Sequence, residues 1–269
     1  MKLLIAGGDL RFAWAAHIAA ARGLDARALG LEKSWLALPQ ADLAFVREAD
    51  AVVAPNPWRV PFPGPFAAEP LSFEELLAAM NPEAALILPD DTGAPEDAPP
   101  CICLAGDEDY ALRNAWLTAE GAIHAAMSAV PFAVERAEAL VIGYGRIGKA
   151  LTGLLHSLGA GVTVAARREE SRKEAGKNSV SISYMPHILS RMDVIFNTVP
   201  APVLGEKELR HVKPQCVMID LASAPYGIDM DAAEALGRKA FLESGLPGRY
   251  CPLSAAEALL NYMEREGSE

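Results

Sequence analysis

The most constraining stretch is Glu138-Ala139-Leu140-Val141-Ile142-Gly143-Tyr144-Gly145-Arg146-Ile147-Gly148-Lys149-Ala150-Leu151, an apolar run that passes through Gly-x-Gly-x-x-Gly into an amphipathic segment. Glycines at this spacing let a chain turn sharply after a strand, bring bare backbone against a pyrophosphate, and seat the next helix close to that strand. The helix then turns its N-terminal N–H groups toward the phosphates. The context agrees: the helix is expected to run to Leu158, Gly159-Ala160-Gly161 breaks it, and Val162-Thr163-Val164-Ala165-Ala166 supplies the next strand. The stretch therefore predicts a dinucleotide-binding βαβ unit with Gly143, Tyr144, Gly145, Arg146, Ile147 and Gly148 against the cofactor. An ordinary glycine-rich turn is the plain alternative.

The N-terminus repeats this grammar in damaged form. Leu3-Leu4-Ile5-Ala6-Gly7-Gly8-Asp9-Leu10-Arg11-Phe12 reads as a strand, a turn and a helix from about Phe12 to Ala21. With Gly8 laid on Gly145, Asp9 falls on Arg146 and Arg11 on the third glycine, Gly148. A carboxylate where pyrophosphate would lie makes this half a poor nucleotide binder, and Arg11 beside Asp9 makes it a candidate acid-binding face. The expected architecture is two Rossmann-like, doubly wound parallel-sheet α/β domains with a cleft between them and a linking helix. The boundaries expected are 1–130 for a substrate-binding domain and 131–269 for the cofactor domain, with a C-terminal helix packing back on the first.

Further strands of the first half are expected at Ala51-Val52-Val53-Ala54, Ala85-Leu86-Ile87-Leu88 and Cys101-Ile102-Cys103-Leu104, alternating with helices such as Ser72 to Met80. Pro55 to Pro65, with five prolines, excludes regular structure and reads as a stiff loop at a carboxyl strand end, or as a surface loop without function. Asp107 to about Met127 reads as the linking helix. Glu120 and His124 stand four apart on one of its faces, with Thr118 nearby, so they form either a candidate proton-transfer pair or a solvated neighbour contact.

In the second half, the position after the strand ending at Ala166 normally carries an acid for the adenosine 2′-hydroxyl, yet here stand Arg167 and Arg168. Guanidinium groups suit a 2′-phosphate, so NADP is favoured over NAD. Apolar runs ending at Asn197-Thr198-Val199-Pro200 and Asp220-Leu221-Ala222-Ser223 are expected to face the same crevice as the glycine loop. Thr198, Val199 and Pro200 would then border the nicotinamide ribose, and Asp220 and Ser223 the nicotinamide. Phe241 to Tyr250 reads as a strand remnant and glycine loop before a final helix from Ser254 to about Met263, with Ser254 and Glu257 as its capping box.

A net charge of −11 argues against nucleic-acid partners, and no apolar run is long enough to span a bilayer. The short N-terminal apolar run ends in glycine and Asp9, unlike a signal peptide, so a cytoplasmic location is expected. Cys101, Cys103, Cys216 and Cys251 fit no zinc spacing and are expected as buried, reduced thiols; no metal site is expected.

Gly7-Gly8-Asp9 with Arg11, Thr118-Ala119-Glu120-Gly121, Gly143-Tyr144-Gly145-Arg146-Ile147-Gly148, Asn197-Thr198-Val199-Pro200, Asp220-Leu221-Ala222-Ser223 and Gly245-Leu246-Pro247-Gly248 together make the chain resemble the A subunits of dipicolinate synthase from spore-forming bacteria. The resemblance spans nearly the full length and is least characteristic over the proline-rich loop. It implies an NADP-linked dehydrogenation of dihydrodipicolinate and partnership with a flavoprotein-like B subunit, in the mother-cell cytoplasm of a spore former; a homo-oligomer is possible. On that footing Arg11, with Asp9, Thr118 and Ser223, would hold the dicarboxylic substrate, and Glu120 or His124 would take the proton. The alternatives are a cofactor-bound non-catalytic or regulatory subunit that is active only with its partner, or another NADP-dependent dehydrogenase of a small carboxylic acid. A 2-hydroxyacid dehydrogenase would want an arginine just beyond Asp220, where Leu221 to Pro225 offers none. A shikimate-type enzyme would want a catalytic lysine in a half that holds only Lys2 and Lys33.

Overall fold

A computed structural model describes residues 1–266. The chain divides into two compact units, Met1–Asn114 with the segment from Pro247 onward, and Ala115–Leu246.

The first unit contains β1 (Lys2–Ala6), α1 (Leu10–Ala21), β2 (Asp25–Leu29), α2 (Leu43–Glu48), β3 (Ala51–Val53), α3 (Phe73–Ala79), β4 (Ala85–Leu88), β5 (Ile102–Cys103) and the start of α4 (Glu108–Ala129). Its strands are all parallel, in the order β2-β1-β3-β4-β5. A parallel sheet must be covered on both faces, and alternation along β1 shows how. Leu3 and Ile5 join Phe12, Ala16 and the C-terminal Leu259 and Leu260 on one side. Leu4 and Ala6 join Phe45, Phe73 and Leu76 on the other. Fully burying one such leucine contributes about 1.5–3 kcal/mol.

The second unit continues α4 and adds β6 (Glu138–Ile142), α5 (Arg146–Ser157), β7 (Gly161–Ala165), α6 (Glu169–Ala175), β8 (Ser179–Val180), β9 (Val194–Asn197), α7 (Glu206–Leu209), β10 (Val217–Asp220), α8 (Met230–Ala235) and β11 (Lys239–Leu242). Helices α9 (Leu246–Tyr250) and α10 (Pro252–Glu266) close the described chain, with α10 packed on α1. The second sheet is also parallel, ordered β11-β10-β9-β6-β7-β8, the doubly wound arrangement whose order reverses between β6 and β9. The first sheet reverses between β1 and β3. Both glycine turns therefore follow the strand at a switch point, where such sheets hold their ligands. Two parallel-sheet α/β domains are thus the observed fold.

Several local expectations are corrected. Cys101 lies outside β5, and Cys101, Cys103 and Cys251 are only partly buried; Cys216 alone is enclosed, and burial pushes its thiol up to about 12. Leu246 to Tyr250 form a short helix where a glycine loop is expected, with Gly245 just before it. Helix α10 starts at Pro252, a residue favoured in a first turn, so Ser254 lies inside the helix and does not cap it. A capping box exists instead on α3. There Ser72 Oγ accepts from Glu75 N at 3.1 Å and Ser72 N donates to Glu75 Oε2 at 2.7 Å.

Candidate functional site

The glycine turn of the second unit is built as a dinucleotide site requires. Gly143 has φ +97°, a conformation open to glycine, and a Cβ there would run into Thr198 Oγ1 and Val199. Gly148 is buried, and a Cβ on it would overlap the Gly143 carbonyl, so α5 sits as close to β6 as the backbone permits. At Gly145 the result is the opposite: an added Cβ would meet nothing within 4 Å. Gly145 is also the N-cap of α5, with no side-chain capping bond. Bare backbone, an open approach and an uncapped helix start are what a pyrophosphate fits. Tyr144 and Ile147 are half-buried, and Arg146 is exposed at the rim.

The corresponding turn of the first unit is filled from within. Gly8 N donates to Pro63 O at 2.6 Å, and a Cβ on Gly7 would overlap that same carbonyl, so the proline-rich loop sits on the turn. Helix α1 is capped by Asp9, whose Oδ1 accepts from Arg11 N at 3.0 Å. A protein carboxylate thus takes the place of an anion at this helix start.

Arg11 is bound to the same carboxylate through Nε to Oδ1 at 3.1 Å and Nη2 to Oδ2 at 2.8 Å. Burial works against its charge, but Asp9 and Tyr110 more than offset that and hold the guanidinium above its ordinary range. Tyr110 is itself enclosed, and burial pushes its phenol upward against the pull of Arg11. Gly248 presses on Asp9 so closely that a Cβ there would strike the carboxylate. Asp9 and Arg11 therefore stand together as a formed pair.

On α4, Thr118 is half-buried while Glu120 and His124 are exposed. Glu120 Oε1 accepts from the Trp116 indole N–H at 2.7 Å, the i, i+4 contact that helical spacing dictates. In the second unit, Arg167 and Arg168 are exposed on the turn after β7. Sequence reasoning missed the residue that fixes this turn. Arg172 Nη1 donates to the carbonyls of Ala166 at 2.9 Å and Arg167 at 2.7 Å. A cation one turn into a helix that follows two arginines was the available signal.

Thr198 Oγ1 donates to Ile142 O at 2.9 Å and leans over Gly143, so the turn after β9 is tied to the glycine turn. Val199 is half-buried, Pro200 exposed and Ser223 half-buried. Asp220 is wholly enclosed and bonded within the unit. Asn197 is its partner and was also missed; a lone amide ending the apolar run Val194-Ile195-Phe196 was the signal. Among the described residues, no group of three His, Cys, Asp or Glu could hold a metal ion, and no helix is long and apolar enough to cross a membrane.

Comparison with known proteins agrees with this geometry. Residues 109–242 match the family described as D-isomer specific 2-hydroxyacid dehydrogenase, NAD binding domain. The dipicolinate synthase A subunit of Bacillus subtilis is 31% identical over 161 residues, 59% of this chain and 54% of that protein, so the match spans about half of the relative's length. The crystal structure of the dipicolinate synthase A subunit from Bacillus halodurans superposes with a TM-score of 0.84 at 25% identity, covering 100% of this chain and 98% of that one. The crystal structure of the Bacillus subtilis protein gives 0.81 at 22% identity, over 100% and 96% of the two chains. A transhydrogenase from Sinorhizobium meliloti shares the fold, at 0.69 and 16% identity over 98% and 94%. The chain is thus similar to the A subunits of dipicolinate synthase, and the match of residues 109–242 to an NAD-binding domain supports a nicotinamide cofactor.

Proposed function

We propose that the chain is the dehydrogenase subunit of a dipicolinate synthase, oxidising dihydrodipicolinate to the aromatic dicarboxylate with NADP. The observation that carries this reading is the turn from Gly143 to Gly148, open at Gly145 and uncapped at the start of α5, in a chain that resembles the A subunits of dipicolinate synthase. A nicotinamide bound here would supply the hydride acceptor. The backbone N–H groups at the start of α5 bind the pyrophosphate, and Arg167 and Arg168 the 2′-phosphate, which favours NADP over NAD. Thr198, Val199, Pro200 and Ser223 border the nicotinamide end.

Arg11, already charged and oriented by Asp9, would hold a substrate carboxylate, with Thr118 and Ser223 supplying hydroxyl groups. Glu120 or His124 would take the proton that aromatisation releases. The reaction belongs in the cytoplasm, with a flavoprotein-like B subunit for its partner. A second reading, a cofactor-bound subunit that acts only with that partner, is favoured by the exposure of both Glu120 and His124. Mixing the purified chain with NADP⁺ and dihydrodipicolinate and following reduced-nicotinamide absorbance decides between them. A signal from the chain alone supports the first reading, one that requires the B subunit supports the second, and none in either case rejects both.

A further inference from the structure

We propose that Asn197 and Asp220 form a buried positioning pair that locks the two loops flanking the nicotinamide end of the cofactor into one register. The proposal rests on the dinucleotide reading of the second unit.

Both side chains are 0% exposed, and they are Cα partners at the carboxyl ends of the adjacent strands β9 and β10. Asp220 Oδ1 accepts from Asn197 Nδ2 at 2.7 Å and from Ala222 N at 3.0 Å. Oδ2 accepts from Gly227 N and Ile228 N, each at 2.8 Å. Asn197 in turn grips both backbone groups of Val199: Nδ2 donates to its carbonyl at 3.0 Å and Oδ1 accepts from its N–H at 3.1 Å. Two side chains thus hold the loop after β9 at one residue and the loop after β10 at three. Thr198, between them, reaches back to Ile142 and the glycine turn.

Packing does not account for this arrangement. Polar groups withdrawn from water cost stability unless every bond is made, and two apolar residues of similar volume would fill the same space without that demand. What the pair supplies is geometry. The loop it holds contains Tyr226 at φ +62°, a left-handed conformation that a side chain of this size adopts only when its surroundings impose it. The strand order gives the pair its role: β9 and β10 lie on the far side of the switch point from β7 and the Arg167–Arg168 turn. In this fold the adenosine half of a dinucleotide lies toward β7 and the nicotinamide half toward β9 and β10. Loosening Asn197 or Asp220 should therefore be felt by one half of the cofactor only.

Asp220→Asn preserves volume and places an NH₂ group where each oxygen faces two donors, so one end of the clamp is set against N–H groups. Gly227→Ala disturbs the same loop by another route, because its Cβ would overlap the Asn197 amide, and it carries the test if Asp220→Asn does not fold. Calorimetric titration of the full chain uses NADP⁺ and NAD⁺ beside their adenosine halves, adenosine 2′,5′-bisphosphate and ADP. Whichever dinucleotide the wild type prefers should bind the variants about tenfold more weakly, the scale expected for buried donors left unpaired, while the matching adenosine half stays within about twofold. Equal losses for the whole and the half, or no loss in either, overturn the positioning role while leaving the cofactor reading intact. A wild-type chain that binds none of the four probes overturns the cofactor reading and this proposal together.

Discussion

Replacing Arg167 with alanine should separate the two nicotinamide cofactors by an amount the local structure sets. A hydrogen bond to a charged group contributes about 1.5–3 kcal/mol. The lower end applies here, because Arg167 is exposed and Glu169 and Glu170 open the next helix with negative charge. Loss of about 1.5 kcal/mol is about a tenfold rise in KM for NADP. The turn itself should survive, since Arg172 holds it through the carbonyls of Ala166 and Arg167, which alanine retains. NAD has no 2′-phosphate, so its KM should move by less than about twofold, the ordinary scale of a surface substitution. Arg172→Ala should behave differently and weaken both cofactors, because the turn it releases is the one proposed to border the ribose of either. Steady-state kinetics with both cofactors at two ionic strengths makes the comparison, and the NADP effect should shrink as salt rises. Equal losses for NADP and NAD in Arg167→Ala, or no loss for either, would refute the assignment of this turn to the 2′-phosphate.

Arg11→Ala should raise KM for the dicarboxylic substrate without changing NADP affinity, and should destabilise the chain by about 1–3 kcal/mol because Asp9 is left without its cation; kinetics and thermal melting read the two effects, and adding Asp9→Asn should recover part of the second. Glu120→Gln and His124→Ala should each be assayed for turnover, with a drop of about a hundredfold or more marking the proton acceptor; full activity in both places the base elsewhere. Asp193 is held below the ordinary carboxylate range: burial opposes this, but the Lys213 ammonium and the Glu138 N–H at 2.8 Å prevail. Its contribution to stability is therefore present above the unfolded carboxylate pKa and is lost as pH falls through the folded value. Asp193→Asn should be the less stable form at neutral pH, and the difference from the wild type should shrink in denaturant titrations as pH falls through the folded carboxylate's lowered range.

The legible parts of the fold were those where local pattern and tertiary demand agree. β6, the glycine turn and α5 announce themselves because an apolar strand, three glycines and an amphipathic helix all serve one geometry. β2 was not anticipated: Asp25-Ala26-Arg27-Ala28-Leu29 puts charged residues at alternate positions, as an edge strand permits, and resembles a loop in composition. Tertiary packing also decided α9, since Gly245-Leu246-Pro247-Gly248 has the composition of a turn, yet the helix it enters brings Gly248 against Asp9. At the site, the damaged fingerprint was visible in Asp9 and Arg11, but the agent that closes it was not. That agent is Pro63, more than fifty residues away, and no local spacing predicts that its carbonyl will take the Gly8 N–H. Arg172 and Asn197 escaped for a related reason: each acts on backbone carbonyls or a neighbouring loop, so its purpose exists only in the folded unit.

Binding at the second unit can be measured without any substrate or partner, by titrating the purified chain with NADP and with NAD in a calorimeter and repeating both with Gly148→Ala. One saturable site should take NADP about tenfold or more tighter than NAD, and both should be lost from the variant whose Cβ meets the Gly143 carbonyl. Absence of heat with either dinucleotide in the unmodified protein, or undiminished binding by Gly148→Ala, would contradict it.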